Sequence, residues 1–301
     1  MGAELAIHTQ ALTKTYGDTV AVDGLDLEVP QGLVYGFLGP NGSGKSTAIR
    51  IMLDLIRPTS GTATVLGLNP RNNPVALRRR LGYLPGDFTV DGRQTSLELL
   101  TYLADLRGGI QARRINVLAD QLSLDLHRPI RNLSRGNRQK VGLIQAVMHE
   151  PELLILDEPT SGLDPLLQHE FAAMMRQVAS EGRTAFVSSH VMGEVQQIAD
   201  NVAIIRDGRI ATVGHVKELR RQSTRTVTAQ LNGPGQREDF ADLPGVTNLR
   251  IVDGQLTCRL TGPPDQLIKA LASYEVASLT IDEPDLEELL FQYYEPSDSH
   301  D

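Results

Sequence analysis

The sequence predicts an α/β protein in which an antiparallel β segment precedes the α/β core, a helical insert interrupts the core and a small α+β domain follows it. Two short apolar runs, residues 33–38 and 153–156, have the character of buried parallel strands, and each precedes a segment with helical spacing. Between residues 95 and 150, by contrast, apolar residues recur at helical spacing throughout. These three segments carry the prediction of the fold class.

The first part of the chain has the alternation of apolar and polar residues that is typical of β-strands. Residues 5–29 alternate between apolar and polar, with turn signals at Tyr16-Gly17-Asp18 and at Asp23-Gly24. We therefore predict short antiparallel strands that break at both places. The next strand, 33–38, ends in a glycine-rich turn, and helical spacing from 47 to 56 follows it.

The remaining core elements are predicted from apolar spacing, helix caps and turn dipeptides. They are helices over 97–106, 112–122 and 138–148, a helix that begins at Pro165 with Asp164 as its N-cap and Gly182 as its stop, a strand over 184–189, a helix over 191–199, and a hairpin of 202–206 and 209–213 joined by Asp207-Gly208.

The chain changes character again near its end. A charged helical stretch over 216–222 is followed by alternating residues 226–231, by a hairpin signal at Asp253-Gly254 and by two terminal helices. We predict a first domain over 4–222, with the helical insert at about 95–150, and a small α+β domain over 223–301.

Composition excludes several classes of function. The 37 acidic residues exceed the 29 basic ones, the net charge is −8 and only 4% of residues are aromatic, which argues against nucleic acid as a partner.

No apolar stretch approaches the roughly 20 residues that cross a bilayer. The N-terminus has no signal-peptide pattern, so we expect a cytoplasmic protein. Its lone Cys258 fits a reducing compartment and reads as a small buried hydrophobe rather than a nucleophile.

A phosphate-binding motif lies between the predicted strand and helix. It follows the pattern G-x-x-x-x-G-K-[ST] and consists of Gly39, Pro40, Asn41, Gly42, Ser43, Gly44, Lys45 and Ser46, with Thr47 added as the next candidate nucleotide contact. Glycines allow backbone N–H groups to surround phosphate oxygens, and the following helix points its positive end toward them. Lys45 supplies a full charge, and Ser46 is a candidate Mg²⁺ ligand. The sequence therefore predicts a phosphate-binding-loop α/β core.

Two carboxylates follow the second buried strand. Asp157 and Glu158 stand at the carboxyl end of 153–156, the end at which ligands bind in such sheets. We predict that Asp157 holds Mg²⁺ and that Glu158 polarises a water for in-line attack on a γ phosphate.

Residues 133–140, Leu-Ser-Arg-Gly-Asn-Arg-Gln-Lys, resemble the signature motif of the ATP-binding cassette (ABC) ATPases, and the resemblance extends over residues 4 to 217. It implies that Ser134 and Gly136 cap an ATP molecule bound by an opposite subunit, so that a homodimer or a paired cassette closes on two MgATP. Arg135 and Asn137 depart from the commonest form of the motif.

The same resemblance assigns further roles. Tyr16 is similar to the residue that stacks on adenine, 161–164 to a loop that communicates across the dimer and includes Asp164, and His190 to a catalytic histidine that contacts the γ phosphate. A loop glutamine that touches the metal is replaced here by Gly86. Either the following Asp87 replaces it, or the loop serves only to sense the partner.

The chain is also similar to the ATPase subunits of bacterial drug and antibiotic exporters, in part through its ending at 283–290. This implies a peripheral protein at the cytoplasmic side of the membrane, held by a permease on a separate chain that docks in a groove near Gly86. Two alternatives stay open at this point. They are a soluble mechanical ATPase acting on ribosomes or nucleic acid, and a nucleotide-binding regulator without turnover, although the latter would require a damaged Lys45, Asp157 or Glu158.

Overall fold

The computed structural model describes residues 4–90, 92–218, 224–233 and 235–282. The chain forms two compact units, Met1–Gly214 and His215–Asp301. The first unit contains the predicted phosphate motif and both predicted carboxylates, so its sheets and helices are the ones that position the site.

The first unit combines two sheets with helices. Its strands are β1 (Leu5–Tyr16), β2 (Thr19–Pro30), β3 (Val34–Leu38), β4 (Ser60–Val65), β5 (Leu81–Leu84), β6 (Leu153–Asp157), β7 (Thr184–Ser189), β8 (Asn201–Arg206) and β9 (Arg209–His215). Its α-helices are α1 (Lys45–Met52), α2 (Pro74–Arg80), α3 (Ser96–Leu106), α4 (Ala112–Gln121), α5 (Arg135–Val147), α6 (Pro165–Ser180) and α7 (Met192–Ile198), and a 3₁₀ turn covers Ile130–Asn132.

The larger sheet has six strands in the order β5-β6-β7-β3-β8-β9, and the pairs from β5 to β8 are parallel. Strand β6 is buried on both faces. Leu153 and Ile155 belong to one core, with β1, β2 and α1, whereas Leu154 and Leu156 belong to the other, with α3 to α6. The carboxyl edge of this strand is therefore fixed by packing from both sides.

The smaller sheet is antiparallel, in the order β2-β1-β4. The predicted turn after Tyr16 is confirmed, since Tyr16 pairs with Thr19. The predicted break at Asp23-Gly24 is wrong. Strand β2 continues through it and accommodates the irregularity as a register shift between the Leu12–Leu25 and Lys14–Val22 pairs.

Local caps explain where the helices begin. Helix α6 begins at Pro165 and the Asp164 carboxylate accepts from Leu167 N at 3.0 Å, which confirms the predicted cap. Helix α5 begins three residues before the predicted 138, because the Ser134 hydroxyl accepts from Asn137 N at 3.2 Å. Helix α1 ends at Met52, short of the predicted 56.

The second unit is an antiparallel sheet with short helices. Its elements are β10 (Thr224–Leu231), α8 (Glu238–Ala241), β11 (Val246–Val252), β12 (Gln255–Thr261), α9 (Asp265–Leu271) and β13 (Val276–Asp282), and the strand order is β11-β12-β10-β13. The Asp253-Gly254 hairpin is confirmed between β11 and β12. Cys258 lies buried in this core, as predicted, and burial raises the pKa of its thiol.

The last predicted terminal helix, after residue 282, lies outside the described residues. The predicted charged stretch 216–222 lies outside them beyond residue 218. Within the described ranges, every helix is too short or too polar to cross a membrane.

Candidate functional site

Gly44 and Lys45 determine the conformation of the loop between β3 and α1. Gly44 has φ +104°, and a Cβ there would lie 2.3 Å from Ala21 O, so this position admits only glycine. The buried Lys45 ammonium donates to Gly39 O at 2.6 Å and to Pro40 O at 3.2 Å. The lysine thereby closes the loop into a ring.

The donor set of this loop suits an anion. Helix α1 has no side-chain cap and no acidic residue in its first turn, so the N–H groups of its first turn are not capped by a side chain. The Ser43 hydroxyl is buried and has no hydrogen-bond partner among the described residues. Unpaired donors beside a lysine fit the phosphate groups of a nucleotide.

Asp157 and Glu158 are both held by Ser188 on the neighbouring strand β7. Its hydroxyl donates to Asp157 Oδ1 at 2.5 Å and accepts from Glu158 N at 3.1 Å. Glu158 has φ +50°, an uncommon conformation for a residue other than glycine, and a second bond from its N–H to Ser188 O, at 3.2 Å, stabilises it. Ser188 thus fixes both the Asp157 carboxylate and the Glu158 backbone.

The Glu158 carboxylate joins the loop to His190. Its Oε1 lies 3.4 Å from Lys45 Nζ, and its Oε2 lies 2.8 Å from His190 Nδ1. The Glu158 side chain is 18% exposed and the His190 side chain 44%, so the pair sits at the edge of solvent. Oε1 is buried and has no hydrogen-bond partner in the described structure, which leaves it free to accept from a water or a ligand.

One cleft of about 400 Å³ gathers most of these groups. It is lined by Asn41, Ser46, Arg50, Gly86, Asp87, Arg135, Asp157, Glu158, Ser161 and His190. The structure therefore brings together the loop, both carboxylates and the histidine that were predicted from three separate segments of the sequence.

Ser46 and Asp157 offer the oxygen donors that Mg²⁺ prefers. Gly86 lies beside Asp157, since a Cβ at this position would lie 3.5 Å from Asp157 Oδ2, in ordinary contact with the carboxylate. The Asp87 side chain lines the same cleft, is 80% exposed and lies 3.9 Å from Arg50. Burial, and to a lesser extent the Asp157 carboxylate, raise the pKa of the nearby Tyr83 to about 12.

The predicted signature residues occupy a different place. Ser134 and Gly136 are absent from the described residues that line the cleft, although Arg135 between them reaches Ser161 Oγ at 3.2 Å. Gly136 abuts the loop after Glu158, since a Cβ there would lie 2.8 Å from Gly162 O. The signature helix and the catalytic loop are therefore in direct contact within one chain.

Gln139 strengthens that contact and was not singled out from the sequence. Its Nε2 lies within hydrogen-bonding distance of Glu158 O, at 3.4 Å, and of Pro159 O, at 3.3 Å. Its position three residues after Gly136, on the same helix, is the sequence signal that could have identified it.

Tyr16 lies at the hairpin of the antiparallel sheet. Its ring is half exposed, with Lys14 Nζ 4.9 Å from the ring centroid. The same hairpin carries Ala21, whose carbonyl contacts the phosphate loop at Gly44. Asp164, by contrast, uses its carboxylate to cap α6.

A phosphate-binding loop that shares a cleft with an aspartate and a glutamate at the carboxyl end of a parallel strand, here β6, defines a nucleoside triphosphatase. A family model described as "ABC transporter" matches residues 22–161. The bacitracin transport ATP-binding protein BcrA of Enterococcus faecalis is 38% identical over 73% of this chain and 72% of its own. The daunorubicin/doxorubicin resistance ATP-binding protein DrrA of Streptomyces peucetius is 36% identical over 94% of this chain and 91% of its own.

A solved structure, of the ATP binding subunit of an ABC transporter, matches with a TM-score of 0.67 and 28% identity, covering 72% of this chain and 92% of that one. The chain belongs to the family of ABC transporter ATP-binding proteins, whose members are ATPases. The resemblance drawn from residues 133–140 is thereby confirmed, and the relatives support a transport subunit rather than a soluble mechanical ATPase.

Proposed function

We propose that this chain hydrolyses ATP to power the export of a drug-like or antibiotic compound through a permease on a separate chain, at the cytoplasmic side of the membrane. The relative DrrA is named for resistance to daunorubicin and doxorubicin, and its match extends over 94% of the chain, well into the second unit. The relative BcrA is named for bacitracin transport. These names supply the compound class of the proposal.

The observation that carries the proposal is the position of Glu158 between Lys45 and His190 at the cleft. The loop N–H groups and Lys45 bind the β and γ phosphates. Glu158 Oε1, which lacks a hydrogen-bond partner, accepts a proton from the attacking water. His190 orients Glu158 through Nδ1, and it would contact the γ phosphate.

Ser46 and Asp157 would hold Mg²⁺. When bound, the ion would neutralise charge on the phosphate oxygens. Ser188 keeps the Asp157 carboxylate oriented for this role through its 2.5 Å hydrogen bond. Tyr16, at the hairpin beside the loop, would stack on the adenine.

Two copies would close on two ATP molecules. Ser134 and Gly136 lie outside their own cleft, where α5 begins and can meet a phosphate bound to a second copy. ATP favours the closed dimer only because both copies contact it. Hydrolysis at Glu158 removes that shared contact, and the copies separate.

The permease would dock in the groove between the helical insert and the segment around Gly86. Large apolar side chains stand exposed there, with Leu55 51% and Leu106 67% exposed. Arg78 and Arg107 line both parts of the groove. Apolar surface with a basic rim is typical of a protein docking site.

Replacing Lys45 by alanine tests the proposal. We expect Lys45→Ala to weaken MgATP binding by more than 50-fold, because it removes the phosphate-facing charge and also opens the loop at Gly39 and Pro40. Titration of a fluorescent ATP analogue into the full chain measures this. The matched control is Lys269→Ala, which removes an exposed lysine from the second unit. A Lys45→Ala protein that binds like the wild type contradicts the assignment.

A further inference from the structure

Outside the cleft, the Glu194 carboxylate collects three side-chain donors. Thr160 Oγ1 and Ser189 Oγ both bond to its Oε2, the latter at 3.1 Å, and Gln168 Nε2 bonds to its Oε1 at 3.1 Å. Thr160 and Ser189 are 5% and 1% exposed. Because a carboxylate only accepts hydrogen bonds, the two hydroxyl protons are directed onto Glu194, and this fixes the direction of the network.

Ser189 connects this network to His190. It is the last residue of β7, immediately before the histidine. While its hydroxyl proton goes to Glu194, its oxygen accepts from Val191 N at 3.0 Å. The backbone on both sides of His190 is thus tied to one carboxylate.

Thr160 and Gln168 connect the same carboxylate to the loop after β6. Thr160 stands two residues after Glu158, and Gln168 lies in the first turn of α6, whose N-cap is Asp164. Glu194 therefore holds this region at two points, at Thr160 in the loop and at Gln168 in the first turn of α6. The His190 backbone is held by the same group, and the Glu158 side chain joins the two through its 2.8 Å contact with His190.

We infer that Glu194 is a positioning residue for ATP hydrolysis, which acts through Ser189 and Thr160 to keep His190 and Glu158 in their mutual contact. This inference rests on the proposed function. Glu194 is absent from the described residues that line the cleft, and its three side-chain donors all lie outside the phosphate loop. It therefore affects the turnover step and leaves the binding of the phosphates by the loop unchanged.

The test compares Glu194→Ala, Glu194→Gln and the control Glu170→Ala, an exposed carboxylate on α6. We expect Glu194→Ala to lower kcat at least 10-fold while KM and the dissociation constant of a fluorescent ATP analogue stay within threefold. Glu194→Gln should keep more than half of the wild-type kcat, since its amide oxygen can accept from Gln168 and its NH₂ can donate to the two hydroxyl oxygens. Glu170→Ala should match the wild type.

A double variant separates positioning from general destabilisation. If Glu194 acts through His190, then His190→Ala with Glu194→Ala hydrolyses ATP no more slowly than His190→Ala alone. A further 10-fold loss in the double variant, an unchanged kcat in Glu194→Ala, or a parallel loss of nucleotide binding overturns the inference. Failure of the proposed function is a separate result. It would appear as unchanged MgATP binding in Lys45→Ala, and it would not alter the ratios of kcat among the Glu194 and His190 variants.

Discussion

At the scale of single residues, His149 shows how burial sets a charge state. Its Nε2 donates to Leu81 O at 2.9 Å, and its Nδ1 is buried with no hydrogen-bond partner in the part of the chain that the structure describes. Burial, and secondarily the positive Arg107, lower the pKa of His149 to about 4. The imidazole is therefore neutral at physiological pH, with its proton on Nε2.

This depressed pKa gives a pH dependence of stability with a definite sign. As pH falls below 6.5 the unfolded chain binds a proton at His149 before the folded chain does, so the contribution of this group is present above pH 6.5 and is lost toward pH 4. We expect a loss of about 2 kcal/mol in the free energy of unfolding at pH 5 relative to pH 7. Urea unfolding at both pH values should show that His149→Gln removes this portion of the loss.

The control for that measurement is His127→Gln, which replaces an exposed histidine. Its stability should change with pH as the wild type does. If His149→Gln and the wild type lose the same free energy between pH 7 and pH 5, then the neutral, buried state assigned to His149 is wrong.

The residues of contiguous motifs can be predicted from sequence, and those that position them cannot. Lys45, Asp157 and Glu158 follow directly from a strand and a short pattern of residue types. Ser188 and Glu194 look like an ordinary strand serine and a helix glutamate, because their partners lie about 30 residues away in sequence. Their roles exist only once β6 and β7 are paired.

At the scale of elements, the start of α5 couples the signature segment to the catalytic loop. Gly136 packs against the Gly162 carbonyl, and Gln139 reaches the carbonyls of Glu158 and Pro159. The predicted start of this helix was late because Ser134, rather than the apolar spacing, determines where it begins. A cap outweighs periodicity at a helix end.

Gly136→Ala tests this contact. The new methyl would lie 2.8 Å from Gly162 O, so the helix and the loop must move apart. We expect at least a fivefold fall in kcat with nucleotide binding within twofold, measured by steady-state hydrolysis and analogue titration. Gly193→Ala is the matched control, because a Cβ at this helical position meets no atom within 4 Å and should leave kcat unchanged. Equal activities in the two variants would mean that the contact has no part in turnover.

Strand β4 and helix α2 were not predicted, and their composition explains why. Strand β4 is short and largely exposed, and the alternation in its sequence, Ser-Gly-Thr-Ala-Thr-Val, is limited to Ala63 and Val65, which is too little to predict a strand. Helix α2 has seven residues, of which the structure buries only Leu77. Both elements form because neighbouring strands provide their hydrogen bonds or packing, which is tertiary information.

At the scale of the whole molecule, Ser134 and Gly136 are absent from the described residues that line the cleft of their own chain. Under the proposed function, the cleft holds the groups that would bind phosphate and activate water, and a second copy would supply the groups that close over the phosphate. Assembly and hydrolysis are then expected to be linked.

We expect Glu158→Gln to bind MgATP and to accumulate as a dimer, because the amide cannot take the proton from water and the shared nucleotide is not consumed. Light scattering with saturating MgATP should report twice the mass of one chain. The double variant with Lys45→Ala, which lacks the phosphate contact, should remain monomeric. If Glu158→Gln alone also remains monomeric, the two-copy mechanism is wrong.

Lys45 and Glu158 form one ion pair across the cleft, with Lys45 Nζ 3.4 Å from Glu158 Oε1. Under the proposed function, the charge that would bind the phosphates and the carboxylate that would activate water therefore belong to a single pair of side chains. Lys45→Ala would then alter the surroundings of Glu158 as well as remove the phosphate contact, so a defect in binding and a defect in hydrolysis are expected together in that variant.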